Sequence, residues 1–303
     1  MALFPRTART TRFGPHSTIA ELRGAYDAIF ERFGEISPGV TFEPAQMGLV
    51  KGEWVQAPRA VRGRLILYFH GGGFIAGSPL THRPLVSKLC LQAQSHGLVV
   101  QYRLAPEYPF PAPVRDGVDI YRNLLKGGLA PEAVVLAGDG AGGGLAFATL
   151  LAIRNGNLPM PAAIVALSPW ADLSLSGMSM MTNAESDEFL SWELLFLSAR
   201  NYLKKLNPND PYASPAFANF KDFPPIMVHA GSKEILRDDA SKLGDRAAEA
   251  GVKVNIEIYD GMQHLFQMTP GLKEAKISME RLGQFIHART HNPMKAPRAA
   301  VAE

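Results

Sequence analysis

Short apolar runs bounded by glycine or proline recur along the chain, at positions 65–69, 98–102, 134–137, 163–167, 226–230 and 254–259. They are rich in β-branched residues and lack regular polar alternation, which is typical of buried strands in a parallel sheet. Helical spacing of apolar residues is found between and after them, at about 81–95, 113–126, 141–154, 237–250 and 273–289. This alternation predicts an α/β fold with a mostly parallel, doubly wound sheet flanked by helices, and a further strand pair is expected around 48–56.

Two segments interrupt the alternation. Residues 1–45 begin with a polar arm and continue into a predicted helix at 19–33, and residues 172–215 contain a predicted helix at 192–206. We expect neither segment to supply a strand, and both to form a helical cap over the carboxyl ends of the strands, where open α/β sheets bind ligands. The predicted division is a first cap segment at 1–45, a core made of 46–171 and 216–291, a second cap segment at 172–215 and a disordered tail at 292–303.

The length and composition are those of a globular protein with one large α/β domain or two small ones. The 303 residues include 47% hydrophobic and 19% charged residues, and the formal net charge is +3. No central stripe of basic residues interleaved with aromatic residues occurs, so no nucleic-acid partner is expected. The basic excess is concentrated at the two ends, at Arg6, Arg9, Arg12, Lys295 and Arg298.

Signals for export and membrane insertion are missing from the pattern. No apolar segment follows the N-terminal arginines, so no secretory signal is predicted, and no apolar run approaches the roughly 20 residues of a membrane span. The single cysteine, Cys90, lies in an apolar helical pattern and is expected to be a buried, inert thiol. We therefore predict a cytoplasmic protein without a membrane span.

A glycine run follows the apolar run 65–69, in the sequence His70-Gly71-Gly72-Gly73-Phe74. Because glycines carry no side chain, the backbone N–H groups of such a turn can point into a cavity and stabilise the oxyanion of a tetrahedral intermediate. An isolated glycine run would indicate only an ordinary turn. Its position after a strand and before a second glycine motif favours an oxyanion hole.

The second glycine motif has the frame of a nucleophile elbow without its nucleophile. The sequence Gly138-Asp139-Gly140-Ala141-Gly142 matches the strand-to-helix pattern G-x-S-x-G, except that Gly140 occupies the serine position. The apex of such a turn has a strained positive φ, which glycine adopts at little cost, so the turn is expected to persist while the hydroxyl is lost. A phosphate-binding loop is the alternative, but the residues that would accompany it are missing.

Glu234 and His264 complete a candidate catalytic set. Each lies in a loop directly after a predicted strand, and the order of nucleophile position, acid and histidine is that of hydrolases with this elbow. The histidine would take the proton of the nucleophile, and the carboxylate would hold the imidazole in the correct tautomer. Asp238 and Asp239 are close in sequence, but they stand where a helix begins and are expected to act as N-caps.

Together these motifs resemble those of the hormone-sensitive-lipase family of esterases, also called bacterial family IV. The resemblance implies an α/β-hydrolase fold with a cap, hydrolysis of small carboxylic esters, no metal and no cofactor. It is also compatible with a homodimer formed through the last strand or helix. The matching segments are HGGGF at 70–74, YRLAPE at 102–107, GDGAGG at 138–143 (GDSAGG in the family), SPWADL at 168–173, DPYASP at 210–215 and GMQH at 261–264.

The resemblance also implies roles for individual residues. It assigns the oxyanion hole to the backbone N–H groups of Gly72, Gly73 and Ala141. It assigns the catalytic acid to Glu234 and the base to His264. Side chains that line the substrate pocket are expected to include Phe74, Met178, Met181, Trp192 and Leu265, although those of the cap would equally fill the small core of the cap.

The departure from the family at Gly140 leaves three interpretations. In the first, a serine esterase is disabled by a substitution at position 140, so that it binds esters and barely hydrolyses them. In the second, the chain is a natural non-hydrolytic receptor for a small molecule. In the third, it is an enzyme that uses the oxyanion hole and His264 for proton transfer. The first is favoured, because a protein that had abandoned hydrolysis would not need to keep the oxyanion glycines, the acid and the base together.

Overall fold

The computed structural model describes residues 18–30 and 35–290, which are organised around an eight-stranded sheet. The strands are β1 (Thr41–Met47), β2 (Val50–Gln56), β3 (Leu65–Phe69), β4 (His96–Gln101), β5 (Val134–Asp139), β6 (Ala163–Leu167), β7 (Ile226–Gly231) and β8 (Val254–Tyr259). Their spatial order is β1-β2-β4-β3-β5-β6-β7-β8. The β1–β2 and β2–β4 pairings are antiparallel and the other pairings are parallel. The predicted α/β fold is therefore confirmed.

Helices cover both faces of this sheet. They are α1 (Ile19–Phe30), α2 (Pro79–Ala93), α3 (Ala112–Lys126), α4 (Gly140–Asn155), α5 (Ser179–Thr182), α6 (Trp192–Leu203), α7 (Arg237–Glu249) and α8 (Lys273–Arg289). Apolar residues of α2 and α8 pack on one face, and those of α3, α4 and α7 pack on the other. Alternate residues of β3 supply the two cores, since Leu67 faces one and Ile66 the other. A strand buried on both faces needs apolar residues at every position, which explains its continuous apolar sequence.

The parallel strands bring the sequence motifs to one edge of the sheet. The glycine run follows β3, the elbow follows β5, and the loops with Glu234 and His264 follow β7 and β8. Parallel strands end at the same edge, so these four loops meet above the carboxyl ends of the strands. The N-terminal end of α4 also lies close to β3, because a Cβ on Gly142 would overlap the carbonyl oxygen of Phe69.

The first cap segment differs from its prediction. β1 begins at Thr41, inside the segment 1–45, so the expectation that this segment supplies no strand is wrong. The sequence of β1 gives no clear strand signal, because it contains Pro44 and the residues of β1 are mostly exposed. Proline is tolerated here because β1 is an edge strand, in which one side of the backbone needs no ladder partner.

One predicted helix ends earlier than expected, and another is described only in part. The helix predicted at 192–206 ends at Leu203, because Lys204 adopts a positive φ of 58°. The helix predicted at 19–33 is described as far as Phe30, and residues 31–34 lie outside the described residues. The tail predicted at 292–303 and the polar arm at the start of the chain also lie outside them.

Candidate active site

Gly140 stands at the sharp turn between β5 and α4. It is buried and its φ is +49°, a conformation that glycine adopts at little cost and other residues adopt under strain. A Cβ added to Gly140 would contact His264, with Nε2 at 3.6 Å and Cε1 at 3.8 Å. Apart from Gly140 itself, its two neighbours in the chain and the adjacent backbone of α4, no other described atom lies within 4 Å of that position. The apex of the elbow therefore faces the imidazole and has room for a side chain.

His264 and Glu234 are in direct contact. Nδ1 of His264 lies 2.7 Å from Oε2 of Glu234. Because an ionised carboxylate only accepts hydrogen bonds, this contact places the hydrogen on Nδ1 and leaves Nε2 as an acceptor. The second carboxylate oxygen of Glu234 accepts the Ser168 hydroxyl at 3.0 Å and the Gly231 backbone N–H. The two residues predicted as base and acid are thus brought together, with Nε2 directed toward the elbow.

The surroundings of His264 favour its protonated form. Burial by itself lowers the pKa of this imidazole, since a charged ring is poorly solvated inside a protein. The hydrogen bond and negative charge of Glu234, together with the charges of Asp187 and Asp139, outweigh burial. The pKa of His264 is therefore raised above its usual 6.5. Such a histidine readily accepts a proton from a nucleophile beside it.

Asp187 is a residue of this site that the sequence analysis missed. Its Oδ1 accepts the backbone N–H groups of Phe189 and Leu190, both at 2.8 Å, and its Oδ2 accepts that of Ile235 at 2.8 Å. Burial raises the pKa of Asp187, and the charge of His264 together with these hydrogen bonds partly opposes that rise. The carboxylate thus fastens the second cap segment to the loop that carries Glu234. No spacing rule distinguishes it from its acidic neighbours in sequence.

The glycine run after β3 presents backbone donors to the same site. Gly72 has a φ of +111° and Gly73 a φ of +63°, and the Gly72 carbonyl accepts the N–H groups of Ile75 at 3.1 Å and Ala76 at 2.9 Å. The N–H groups of Gly72, Gly73 and Ala141 have no acceptor among the described residues. These glycines and Ala141 line one cleft with Gly140 and His264. Unpaired N–H groups in such a cleft can stabilise an oxyanion.

A buried polar network lies beneath the glycine run. Oδ1 of Asp139 accepts the Tyr68 hydroxyl at 2.7 Å and the Gly71 N–H at 3.1 Å, and Oδ2 lies 3.3 Å from Nε2 of His82. Burial raises the pKa of Asp139, but the charge and hydrogen bond of His82, together with the Tyr68 hydrogen bond and the charge of His70, outweigh it, so the net shift is downward. Asp139 therefore stays ionised and fixes the orientation of the turn that carries the oxyanion donors.

Arg23 joins the first cap helix to this turn. Its guanidinium donates to the Ile75 carbonyl at 2.8 Å, to the Ala105 carbonyl at 3.1 Å and to both oxygens of Glu107 at 2.8 Å. Helix α1 supplies Leu22 to the wall of the cleft. A planar guanidinium can satisfy these acceptors together, whereas a lysine cannot. Arg23 thus fixes α1 against the oxyanion turn.

The cleft itself is mostly apolar and has an empty volume of about 940 Å³ when its open mouth is included. Leu265 lines it, as expected from the sequence. Apolar side chains from both cap segments and from the core complete the wall, namely Leu22, Tyr26, Ile75, Trp170, Phe189, Leu190, Leu194, Leu195, Leu236 and Met268. Such a wall is suited to the apolar portion of a small ligand.

Four residues expected to line the pocket do not line this cleft. Met178 and Met181 lie on the outer surface, with 65% and 78% of their area exposed. Trp192 is 47% exposed and stacks on Phe196, with ring centroids 4.9 Å apart. Phe74 is buried behind the wall, where it stacks on Tyr202 at 3.9 Å. Met178, Met181 and Trp192 belong to the second cap segment, and the orientation of each of these side chains depends on how that segment packs.

The expectation that Asp238 and Asp239 cap helix α7 is also wrong. The helix begins at Arg237 and its N-cap position is Leu236, with no side-chain hydrogen bond to the first turn. Oδ2 of Asp239 instead accepts the N–H groups of Ala171 and Asp172, both at 2.8 Å. Burial, with the charge of Asp172, raises the pKa of Asp239 to about 8. Its carboxyl group fastens the start of the second cap segment to α7.

The described ranges, 18–30 and 35–290, also bear on metal binding and membrane insertion. Within them, no group of three or more histidine, cysteine, aspartate or glutamate side chains is arranged to hold a metal ion. The helices in these ranges include none with the length and apolar character needed to cross a bilayer.

Comparison with known proteins is consistent with this geometry. A family model described as an alpha/beta hydrolase fold matches residues 66–268. An acetyl-hydrolase of Streptomyces hygroscopicus is 41% identical over 276 residues, which cover 90% of this chain and 91% of that protein. An esterase of Acinetobacter venetianus is 36% identical over 266 residues, with 87% of each chain covered. The crystal structure of an esterase from the bacterial hormone-sensitive lipase family matches with a TM-score of 0.90 and 39% identity, covering 94% of this chain and 95% of that chain. The chain therefore belongs to the α/β-hydrolase family, within its group of hormone-sensitive-lipase-like esterases.

Proposed function

We propose that this chain is the scaffold of a serine carboxylesterase in which Gly140 replaces the nucleophile, so that it binds small carboxylic esters and hydrolyses them slowly. The observation that carries the proposal is the relation between Gly140 and His264. A Cβ at position 140 would lie 3.6 Å from Nε2 of His264, which is an ordinary van der Waals distance. A serine hydroxyl, one bond further out, would lie within hydrogen-bond reach of this nitrogen.

With serine at position 140, the site would act through an acyl-enzyme. The hydroxyl would attack the ester carbonyl while His264 takes its proton on Nε2, and Glu234 would stabilise the resulting imidazolium. The N–H groups of Gly72 and Gly73, with that of Ala141, would hold the oxyanion. His264 would then protonate the leaving alcohol, and water activated by the same nitrogen would release the acid.

One relative supports a short acyl group as the substrate feature, since the protein of Streptomyces hygroscopicus is called an acetyl-hydrolase. The relative from Acinetobacter venetianus, called an esterase, supports ester hydrolysis without specifying the acyl group. Leu190 and Leu194 of the second cap segment line the same cleft as Gly140, so an acyl chain in the cleft would contact aliphatic walls. We propose that the ester carbonyl binds the oxyanion donors and that its acyl chain lies against these leucines.

A hydrolysis assay of the chain beside its Gly140→Ser variant tests the proposal. p-Nitrophenyl esters from acetate to decanoate would be compared, with Gly140→Ala as the matched control. Alanine has the same positive-φ strain as serine, about 1–2 kcal/mol, but brings no hydroxyl. We expect kcat/KM of the serine variant to exceed that of the other two by about 10⁴-fold or more, with an initial burst of p-nitrophenol and an acyl adduct visible by mass spectrometry.

Other results would favour the other interpretations. A folded Gly140→Ser variant that is inactive on every ester would contradict the proposal. In that case, calorimetric titration of the unmodified chain with esters and carboxylic acids would identify a receptor by tight binding without turnover. Product analysis by NMR would identify a proton-transfer enzyme by a change in the ligand that involves no ester cleavage.

A further inference from the structure

Ser168 stands directly after β6, and its hydroxyl joins Glu234 to the loop that carries His264. It donates to Oε1 of Glu234 at 3.0 Å and accepts the backbone N–H of Leu265, the residue after the histidine, at 3.2 Å. The serine is fully buried. Because a hydroxyl has one hydrogen to donate and lone pairs that accept, a single oxygen satisfies both contacts. Neither alanine nor glycine at this position could make them.

The backbone of Ser168 has a conformation that glycine would adopt at less cost. Its φ is +46°, in the left-handed region that strains a residue with a Cβ. Pro169 follows it, and a proline favours an extended backbone at the residue before it. Strain of this kind persists where the surrounding structure imposes it, often at a functional site. Since glycine would relieve the strain, a serine here points to a need for its hydroxyl.

The segment 168–170 also contacts the elbow and the neighbouring strand. The backbone N–H of Trp170 donates to the carbonyl of Gly140 at 2.8 Å. The backbone N–H of Ser168 donates to the carbonyl of His229 in β7 at 2.7 Å. The nucleophile position, the acid and the base belong to three different loops, and this segment forms hydrogen bonds with all three of those loops or their side chains. It can therefore hold them in one arrangement.

We propose that Ser168 is a positioning residue of the catalytic set, whose hydroxyl holds the Glu234 carboxylate in the orientation that brings Oε2 to Nδ1 of His264. This inference rests on the proposed esterase function. Oε1 of Glu234 also accepts the Gly231 N–H, but that contact ties the carboxylate only to the end of its own strand. The contact with Ser168 ties it to β6 and to the loop of the base.

The orientation of this carboxylate matters for proton transfer. Glu234 keeps the hydrogen on Nδ1 of His264, so that Nε2 can accept the proton of a nucleophile. Without the Ser168 hydroxyl, the acid and the loop of the base could shift against each other, and a misplacement of about 1 Å can cost about 10²-fold in rate. Ser168 is not among the described residues that line the cleft, so substrate contacts should persist. We therefore expect a lower kcat with little change in KM.

The kinetic test compares Ser168→Ala and Ser168→Gly in the Gly140→Ser background. Both remove the hydroxyl, but only glycine also relieves the strain of the positive φ. We expect both to lower kcat on p-nitrophenyl butyrate about 10- to 100-fold, with KM changed by less than about twofold. Urea unfolding should nevertheless show Ser168→Gly to be more stable than Ser168→Ala. Loss of activity and loss of stability would thus follow different orders.

Ser95→Ala is the matched control for these variants. Ser95 is another fully buried serine, and its hydroxyl donates to the carbonyl of His96 at 3.0 Å, at the start of β4. The start of a parallel strand lies at the edge of the sheet opposite to the cleft. This variant should lose one buried hydrogen bond and keep the kcat of its Gly140→Ser parent.

A spectroscopic test uses the unmodified chain and does not depend on a nucleophile. Nitrogen-15 NMR of histidine-labelled protein distinguishes the two neutral tautomers of an imidazole, and a His264→Gln sample assigns the signals of His264. At a pH above the pKa of His264, the unmodified chain should carry the hydrogen on Nδ1. Ser168→Ala should show a mixture of both tautomers, because the carboxylate that selects one of them is no longer held.

Two results overturn the inference. One is a kcat in the Ser168→Gly variant close to that of its Gly140→Ser parent, which would show that the serine is only structural. The other is a single Nδ1–H tautomer of His264 in Ser168→Ala. An inactive Gly140→Ser variant would instead contradict the proposed function, and the tautomer measurement would still decide the role of Ser168.

Discussion

Nδ1 of His264 lies 2.7 Å from Oε2 of Glu234, and both side chains are buried beneath the cleft. This contact fixes which nitrogen of the imidazole faces Gly140. In the Gly140→Ser background, Glu234→Gln should therefore present the wrong tautomer to the serine and lower kcat by about 10³–10⁴-fold. Steady-state kinetics would measure the loss, with the exposed Glu249→Gln as control. Near-normal activity would mean that another carboxylate, such as Asp187, serves as the acid.

Asp187 should influence the pH dependence of activity in the Gly140→Ser variant, which is called the revertant below. His264 must be neutral to accept a proton, and its pKa is raised above the usual 6.5. The value of kcat/KM should therefore fall as the pH drops through this raised pKa. Asp187→Asn removes a negative charge that favours the imidazolium. The acid limb of the pH–rate profile should then move to lower pH.

The measurement is the pH dependence of kcat/KM for Gly140→Ser with and without Asp187→Asn. Asp245→Asn, an exposed carboxylate of α7, is the control. A lower rate with an unmoved acid limb would show that Asp187 acts only through its hydrogen bonds to the backbone.

Arg23 should affect substrate binding more than protein stability. Its ion pair with Glu107 is partly exposed, so its loss should change the free energy of unfolding by no more than about 1 kcal/mol. Arg23→Gln in the revertant should release α1 from the Ile75 carbonyl and raise KM about fivefold, as expected for one lost hydrogen bond. Arg23→Lys should give an intermediate value, since lysine keeps the charge without the planar fork.

Michaelis–Menten kinetics on p-nitrophenyl butyrate, together with urea unfolding, would separate these effects. Arg122→Gln removes an exposed ion pair with Asp119 on α3 and serves as the control. Equal KM values for the Arg23 and Arg122 variants would show that α1 does not depend on this contact.

Asp239 should make stability depend on pH. Its pKa is about 8 in the folded protein and its ordinary value is 3.8, so the folded state holds the proton more tightly. As the pH rises from about 4 to about 8, the unfolded chain releases this proton first, and the free energy of unfolding falls. The side chain at position 239 of the Asp239→Asn variant cannot ionise. The difference in the free energy of unfolding between this variant and the parent should therefore shift in favour of the variant as the pH rises from about 4 to about 8, and stay constant at higher pH.

Urea unfolding at a series of pH values measures this effect. Asp245→Asn on the same helix provides the comparison, because that carboxylate is exposed. Parallel stability curves for the parent and Asp239→Asn would show that Asp239 is ionised in the folded protein.

Two residues of helix α6 should differ in their effect on specificity. Leu194 lines the cleft, whereas Trp192 is about half exposed and stacks on Phe196. In the revertant, Leu194→Ala should widen the cleft and favour longer acyl chains by about tenfold, the size of effect expected from a methylene group in an apolar pocket. Trp192→Ala should leave the acyl-chain profile unchanged, and a shift like that of Leu194→Ala would contradict the assigned cleft.

The sequence alone determined the parallel part of the sheet and the meeting point of the motifs. Runs of consecutive apolar residues specify strands buried on both faces, and alternation with helices makes the strands parallel. Once the strands are parallel, loops after β3, β5, β7 and β8 must lie at one edge. Gly140, Glu234 and His264 could therefore be grouped from their positions after strands.

Only the tertiary structure decided which side chains line the cleft and which carboxylates support it. Arg23 and Glu107 are 84 residues apart, and Asp187 and Ile235 are 48 apart. Such contacts depend on how the cap segments pack against the core, and no local period or spacing encodes that packing. For the same reason Met178 and Trp192 belong to the predicted segment but face outward, while Asp239 fastens the cap instead of capping its own helix.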